Sequence, residues 1–255
     1  MLYSATNKQT NKQTNKQTNK QTNKQHLSLT NNQLKVIAMI TMLIDHLGVA
    51  IFTTEPIFRI IGRLSFPIFA YMIAEGCRYT KNRKKHLGII LGMAIIFQLI
   101  YFVFMGDLYQ GILVTFSLSI ATIFAVEGIT NTENVIKRLL MLGVLSLVAF
   151  ISIICPILYG EYGFDIDYGI CGVLLPVAVY FAPTKFLKLL CTAFILSLMA
   201  IFSSSIMWYS LLALPLLAIY NGKRGKAKLK YLFYIFYPLH LVVIYIIMFL
   251  LFYLR

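Results

Sequence analysis

Charge is scarce in this chain. Charged residues fill 13% of its 255 positions, and nine of them are acidic, where an ordinary soluble domain carries about 25%. With 59% hydrophobic residues and a mean hydropathy of +0.76, the composition excludes a conventional soluble fold and describes a polytopic membrane protein. Cysteine is rarer still, with four in the chain. Cys77, Cys155, Cys171 and Cys191 have no C-x-x-C spacing, which excludes a disulfide framework and a cysteine-based metal site. They read as small apolar packing residues. A cleavable signal peptide is missing from the pattern, because the N-terminus is polar and the first apolar segment is too long for a signal core. No internal repeat relates the two halves, which removes the usual signature of a secondary transporter.

The formal net charge is nevertheless +14. It is not a nucleic-acid signature, because the lysines and arginines lie in an N-terminal tail and in short loops between apolar runs. Residues 7–25 repeat NKQT without one apolar residue. Such a segment has nothing to offset the entropy of ordering. Residues 1–32 are therefore expected to form a disordered cytoplasmic tail, and residues 33–255 a transmembrane domain. The tail lysines suit an anionic membrane surface.

Hydropathy predicts an all-α bundle of about nine transmembrane helices, at 34–53, 57–76, 87–105, 112–127, 138–157, 168–182, 186–202, 205–220 and 231–253. Each approaches the length needed for a hydrocarbon core of about 30 Å, with the sixth to eighth the shortest. Loop charge checks the count. Loops after even-numbered helices carry Arg78, Lys81, Arg83, Lys84 and Lys85, then Lys137 and Arg138, then Lys185 and Lys188, then Lys223, Arg224, Lys226, Lys228 and Lys230. The loops after helices three, five and seven contain no Lys or Arg. The alternation places the N-terminus in the cytoplasm and the C-terminus outside.

Against this background three polar insertions stand out. Asp45-His46 interrupts LKVIAMITMLIDHLGVAIF, Arg59 and Arg63 follow in the next apolar segment, and His240 sits in FYIFYPLHL. An Asp at the centre of a membrane helix costs roughly 3 kcal/mol or more, so each insertion is a candidate functional position. At about 1.5 Å of rise per residue, His46 lies about 18 Å from the inner edge and His240 about 14 Å from it, while Arg59 and Arg63 lie about 3 Å and 9 Å below the outer edge. Adjacent residues on a helix point about 100° apart, so Asp45 is badly placed to orient His46. Arg63 across the interface is its expected partner, which leaves His46 free to face a cavity as a general base. Glu75 is expected in a surface ion pair, and His86 in solvent.

These residues resemble those of the TraX family of integral membrane acetyltransferases, associated with N-terminal acetylation of conjugative pilin. The likeness rests on LKVIAMITMLIDHLG, IGRLSFPIFAYMIAEG, DYGICGVLL and FYIFYPLHL. The last also resembles the ends of broader membrane acyltransferase groups. The resemblance implies a bacterial cytoplasmic-membrane enzyme that moves an acyl group, acetyl first, from cytosolic acetyl-CoA to an amine or hydroxyl outside. The acceptor would be a pilin or other peptide N-terminus, or a surface polymer. Thioester attack needs no metal. His46 is the candidate base with Asp45 beside it, and Arg63 the candidate oxyanion donor. Arg59 and His240 are candidate substrate contacts, and Arg78, Lys81, Arg83, Lys84 and Lys85 candidate partners of the coenzyme phosphates. Two other readings compete: a small transporter with an Asp-His-Arg relay, and a noncatalytic envelope assembly factor.

Overall fold

A computed structural model describes residues 28–225 and 230–253. Among the described residues the chain is all-α, with two isolated β-bridges and no strand. The helices are α1 (Asn31–Ala50), α2 (Pro56–Gly62), α3 (Ser65–Tyr79), α4 (Arg83–Met105), α5 (Ile112–Thr130) and α6 (Val135–Ala149). Through a π turn at Phe150–Ile154, α6 runs on into α7 (Cys155–Tyr159). Then come α8 (Gly169–Phe181), α9 (Lys185–Phe202), a 3₁₀ stretch at Ser205–Leu212, α10 (Ala213–Ala218) and α11 (Lys230–Tyr253). Six of the resulting segments are long and apolar enough to cross a membrane, which makes this a multi-pass membrane protein: Asn31–Ala50, Pro56–Tyr79, Arg83–Val103, Ile112–Thr130, Val135–Tyr162 and Lys185–Phe202. The expected sixth and eighth spans correspond to the 13-residue α8 and to the 3₁₀ stretch with α10. Both are shorter than a full bilayer crossing.

The NKQT repeat lies outside the described residues, as do Lys226 and Lys228. Residues 28–32, which the sequence places with the tail, are part of the fold. Leu29 donates its N–H to Ile219 O and accepts from Asn221 N, and α1 begins at Asn31. Thr30 caps α1 in a reciprocal box with Gln33. Asn82, Asn134 and Thr184 cap α4, α6 and α9 without the reciprocal bond, each side chain accepting from the third helical N–H. Such caps satisfy donors that a helix start leaves open, and they belong to four of the five segments expected to begin on the basic side.

The loops also sort themselves in space as their charges predict. On the basic side Arg83 pairs with Glu127 at 2.6 Å, Lys185 donates to Tyr220 O at 2.8 Å, and Arg78 donates to Tyr180 O and Ala182 O. These contacts join the ends of the second, fourth, sixth and eighth segments. On the other side the loops after α4 and α7 join through Gln110 N to Asp165 O (2.7 Å) and Asp167 N to Gln110 O (2.9 Å).

The second segment is not one straight helix. Its ladder breaks at Arg63-Leu64, between α2 and α3. Pro67 lacks the N–H that would reach the Arg63 carbonyl, and its ring crowds that carbonyl. The Ser65 hydroxyl donates instead to Gly62 O at 2.8 Å. The break brings α2 down on α1, and a Cβ at Gly62 would sit 2.2 Å from Asp45 Oδ1. Glycine is thus required where α2 covers Asp45.

The interior is built around α3, α5 and α8, with Phe66, Ala70, Ile120, Ile123, Leu175 and Leu196 in one cluster. A second cluster joins Leu34, Ala38, Tyr71 and Leu217. By contrast, Val135, Ile136, Leu139 and Leu140 on α6 are exposed, the pattern of a lipid-facing surface. Cys77 and Cys155 are buried, and all four cysteines are free thiols.

Glu75 differs from expectation. It is buried and ion-paired with Lys188, which the sequence assigns to a loop. Because Thr184 caps α9, Lys188 lies one turn inside the helix and its long stem reaches inward. Removing one partner of a buried pair strands the other charge, at a cost of about 3–5 kcal/mol. Lys188→Met is therefore expected to lower the thermal midpoint in detergent sharply, and Glu75→Leu added to it is expected to restore most of the loss. Equal midpoints for Lys188→Met and the parent protein would refute the pair's role.

Candidate functional site

The first two polar insertions converge on one cavity of about 930 Å³. It is walled by α1, by the α2–α3 break, by the loops before α5 and α8, and by α11. Asp45, His46, Arg59 and Arg63 all line it. So does His86, which the sequence places in solvent and which is half-buried at the start of α4.

Asp45 is clamped by two arginines. Arg59 Nη1 donates to Oδ2 at 2.8 Å, and Arg63 Nη2 stands 3.5 Å from Oδ1. The nearer partner is thus Arg59 rather than the expected Arg63, because the descent of α2 at Gly62 carries residue 59 over the carboxylate. The Arg63 contact is a charge interaction without hydrogen-bond geometry, and Asp45 Oδ1 has no hydrogen bond among the described residues. Arg63 itself is buried. One of its nitrogens rests on Met207 Sδ at 3.7 Å, and its Nε has no partner among the described residues. A guanidinium has five N–H donors, so Arg63 keeps donor capacity for a guest in the cavity.

His46 is oriented by its own helix. Its Nδ1 lies 2.8 Å from Met42 O. A carbonyl can only accept, so Nδ1 carries hydrogen and, in the neutral ring, Nε2 holds the lone pair. His240 repeats the arrangement on α11, with Nδ1 2.9 Å from Phe236 O. The two rings meet edge to face at 5.0 Å between centroids, which brings the first and last insertions together. His240 is buried and stands behind His46, outside the cavity lining. Of the basic cluster, Arg78 and Arg83 are engaged in the contacts given above, and Lys81, Lys84 and Lys85 are exposed on the basic face.

Sequence reasoning marked Tyr168, Gly169 and Gly172 for close approach but missed the acidic wall around Asp167 and Tyr109. Asp167 accepts from the Tyr109 hydroxyl at 3.0 Å, and its backbone carbonyl accepts from Thr115 Oγ1 at 2.8 Å. Tyr168 adopts a left-handed φ of 63° and stacks on Phe66 at 3.8 Å. Gly172 gives it room, since a Cβ there would lie 2.7 Å from Tyr168 Cβ. Asp165 and Tyr237 complete this side. The available signal was two tyrosine-bearing acidic loops, GDLYQG and GEYGFDIDYG, on the same side of the bundle.

Burial pushes the Asp167 carboxyl up to about 6, against the opposing pull of the Tyr109 hydrogen bond and the Arg63 charge, with Asp45 and Asp165 adding to the rise. A carboxyl raised by folding takes up a proton between its unfolded value of about 4 and 6. Its stabilising contribution is complete below about 4 and is lost as pH rises through 6. Asp167→Asn is expected to flatten the fall of the thermal midpoint between about pH 4 and 6. Identical slopes for variant and parent would refute the shift.

The sequence pattern described as TraX protein matches residues 30–248. Over 74 residues the chain is 35% identical to a protein of Dichelobacter nodosus described as "Probable fimbrial assembly protein FimC, serogroup H1", a stretch covering 27% of this chain and 30% of that protein. The chain thus matches less than a third of that relative's length. No solved structure matches the chain. With a match that extends from the cap of α1 nearly to the end of α11, and so contains the whole Asp45–His46–Arg63 cavity, the chain belongs to the TraX family.

Proposed function

We propose that this protein is an acetyl-CoA-dependent acyltransferase of the bacterial cytoplasmic membrane. It transfers an acetyl group to an amine or hydroxyl of an acceptor outside the membrane, a pilin or other peptide N-terminus or a surface polymer. In this reading the nine segments have the orientation predicted by loop charge, with the N-terminus and the basic face in the cytoplasm. The observation that carries the proposal is one cavity bearing two complementary groups. His46 lines it with a ring whose Nδ1 is taken by Met42 O, which leaves the lone pair on Nε2, and buried Arg63 brings uncommitted donors.

The chemistry follows from those groups. With an amine acceptor, the neutral nitrogen attacks the thioester carbonyl carbon, and His46 Nε2 takes the proton released from nitrogen. Negative charge growing on the carbonyl oxygen is met by Arg63. The C–N bond forms, the C–S bond breaks, and the coenzyme sulfur leaves as a thiolate that takes up a proton. Asp45, held by Arg59, keeps Arg63 in position. His240 props the His46 ring. Lys81, Lys84 and Lys85 attract the polyanionic donor to the cytoplasmic face. The pilus connection draws on family membership and on the fimbrial assembly description of the D. nodosus protein.

The test is purified protein in nanodiscs with acetyl-CoA and a peptide bearing a free N-terminus, followed by mass spectrometry of the peptide and release of free CoA. Acetylated peptide, or slow CoA release without acceptor, supports the enzyme. Folded protein that binds no acetyl-CoA overturns it in favour of a relay transporter or an assembly factor.

A further inference from the structure

A second cavity of about 560 Å³ opens on the basic face and meets the first at Lys35, Gly76 and His86, which line both. Gly76 sits at the join, where a Cβ would stand 3.4 Å from His86 Nε2. The charge of this vestibule is uneven. Lys35 and Arg224 share its wall with the amides of Asn31 and Asn32, and its one carboxylate, Glu75, is committed to Lys188. The polarity therefore suits an anion.

The wall is also built rather than incidental. The turn carrying Arg224 is fastened over the start of α1, with Asn31 N donating to Lys223 O at 2.8 Å and Asn32 N to Arg224 O at 3.2 Å. Two glycines in left-handed conformation, Gly222 at φ 73° and Gly225 at φ 90°, shape that turn, and Gly225 packs on Thr30 and Asn32. Arg78 and Arg83, on the same face, are engaged with the Tyr180 and Ala182 carbonyls and with Glu127. Lys35 and His46 belong to one helix, eleven residues apart, about 16 Å of rise. A ligand with an anionic head at Lys35 and a thin arm passing from one adjoining cavity to the other would bring the end of that arm to His46.

We infer that the vestibule seats the phosphorylated nucleotide end of the thioester donor, with Lys35 and Arg224 as its anion-binding pair. The inference rests on the acyltransferase reading and names the donor subsite within it. The phosphate of an anionic lipid headgroup shares this chemistry, so the lipid must be controlled.

Parent protein, Lys35→Gln and Arg224→Gln are compared as full chains in nanodiscs of zwitterionic lipid, with unfolding midpoints measured for each. Acetyl-CoA and adenosine 3′,5′-bisphosphate, the nucleotide end alone, are the probes. Each substitution removes a charge-assisted contact and is expected to weaken both probes at least about tenfold. Unchanged affinity in two folded variants overturns the inference. So does a defect confined to anionic phospholipid, which would assign the vestibule to a headgroup. A parent protein that binds no acetyl-CoA overturns the acyltransferase reading itself, which keeps the two failures distinct. Arg224 lies in an exposed loop, so its variant serves where Lys35→Gln disturbs α1.

Discussion

His46→Ala is expected to lower acetyl-CoA turnover about 10²–10⁴-fold, the range that a positioned general base supplies, with little change in acetyl-CoA binding. The reason lies in the ring's anchoring. The Met42 carbonyl fixes the hydrogen on Nδ1 and leaves Nε2 as the base, and the His240 edge holds the ring plane. His240→Phe separates support from proton transfer. Phenylalanine preserves an aromatic edge against His46 and removes a second Nε2, so a purely supporting His240 predicts activity within about tenfold of the parent, well short of the loss from an absent base. Turnover by His46→Ala at the parent rate, in protein with an unaltered unfolding midpoint, would remove His46 from the chemistry.

Arg63→Met is expected to reduce kcat about 10²–10³-fold, the cost of losing one donor to a developing oxyanion, while the KM for acetyl-CoA changes much less. That split is the mark of an interaction made in the transition state rather than in the ground state. The geometry makes the experiment clean. Asp45 retains Arg59 at 2.8 Å, so removing Arg63 does not strand a bare carboxylate. Arg63→Lys keeps the charge but loses the planar fork, and is expected to recover only part of the rate. A rise in KM with kcat unchanged would make Arg63 a binding residue and would leave the oxyanion without its proposed partner.

The two variants also discriminate among functions. A relay transporter would be altered by both without releasing CoA in either. An assembly factor would show lost partner binding or stability and no transfer reaction to lose.

Much of this protein was legible from its residues. Scarce charge and long apolar runs identify a helical membrane bundle, because a bilayer demands internally satisfied backbone and about 20 apolar residues per crossing. Loop charge sorted the segment ends into two sides, and contacts such as Arg83–Glu127 and Gln110–Asp165 join the ends so sorted. Asp45, His46, Arg63 and His240 stood out because polar groups are costly in hydrocarbon.

What the sequence could not decide is who meets whom. Hydropathy and period describe one helix at a time, whereas partnership depends on where a helix breaks and how closely two backbones approach. Pro67 breaks the second segment beside Arg63, and Gly62 admits α2 onto Asp45, which makes Arg59 rather than Arg63 the nearer partner. The cap at Thr184 draws Lys188 inward to Glu75, where a linear reading leaves Lys188 in a loop and Glu75 in a surface ion pair at the end of the second segment. Asp167 and Tyr109 lie 58 residues apart in loops that composition marks only as lacking Lys and Arg. Composition and residue order therefore determined membrane residence, the sorting of segment ends into two groups, and the polar candidates. Tertiary packing decided that Asp45, His46, Arg59 and Arg63 share one cavity with His240 packed behind His46, because only packing brings distant segments into contact.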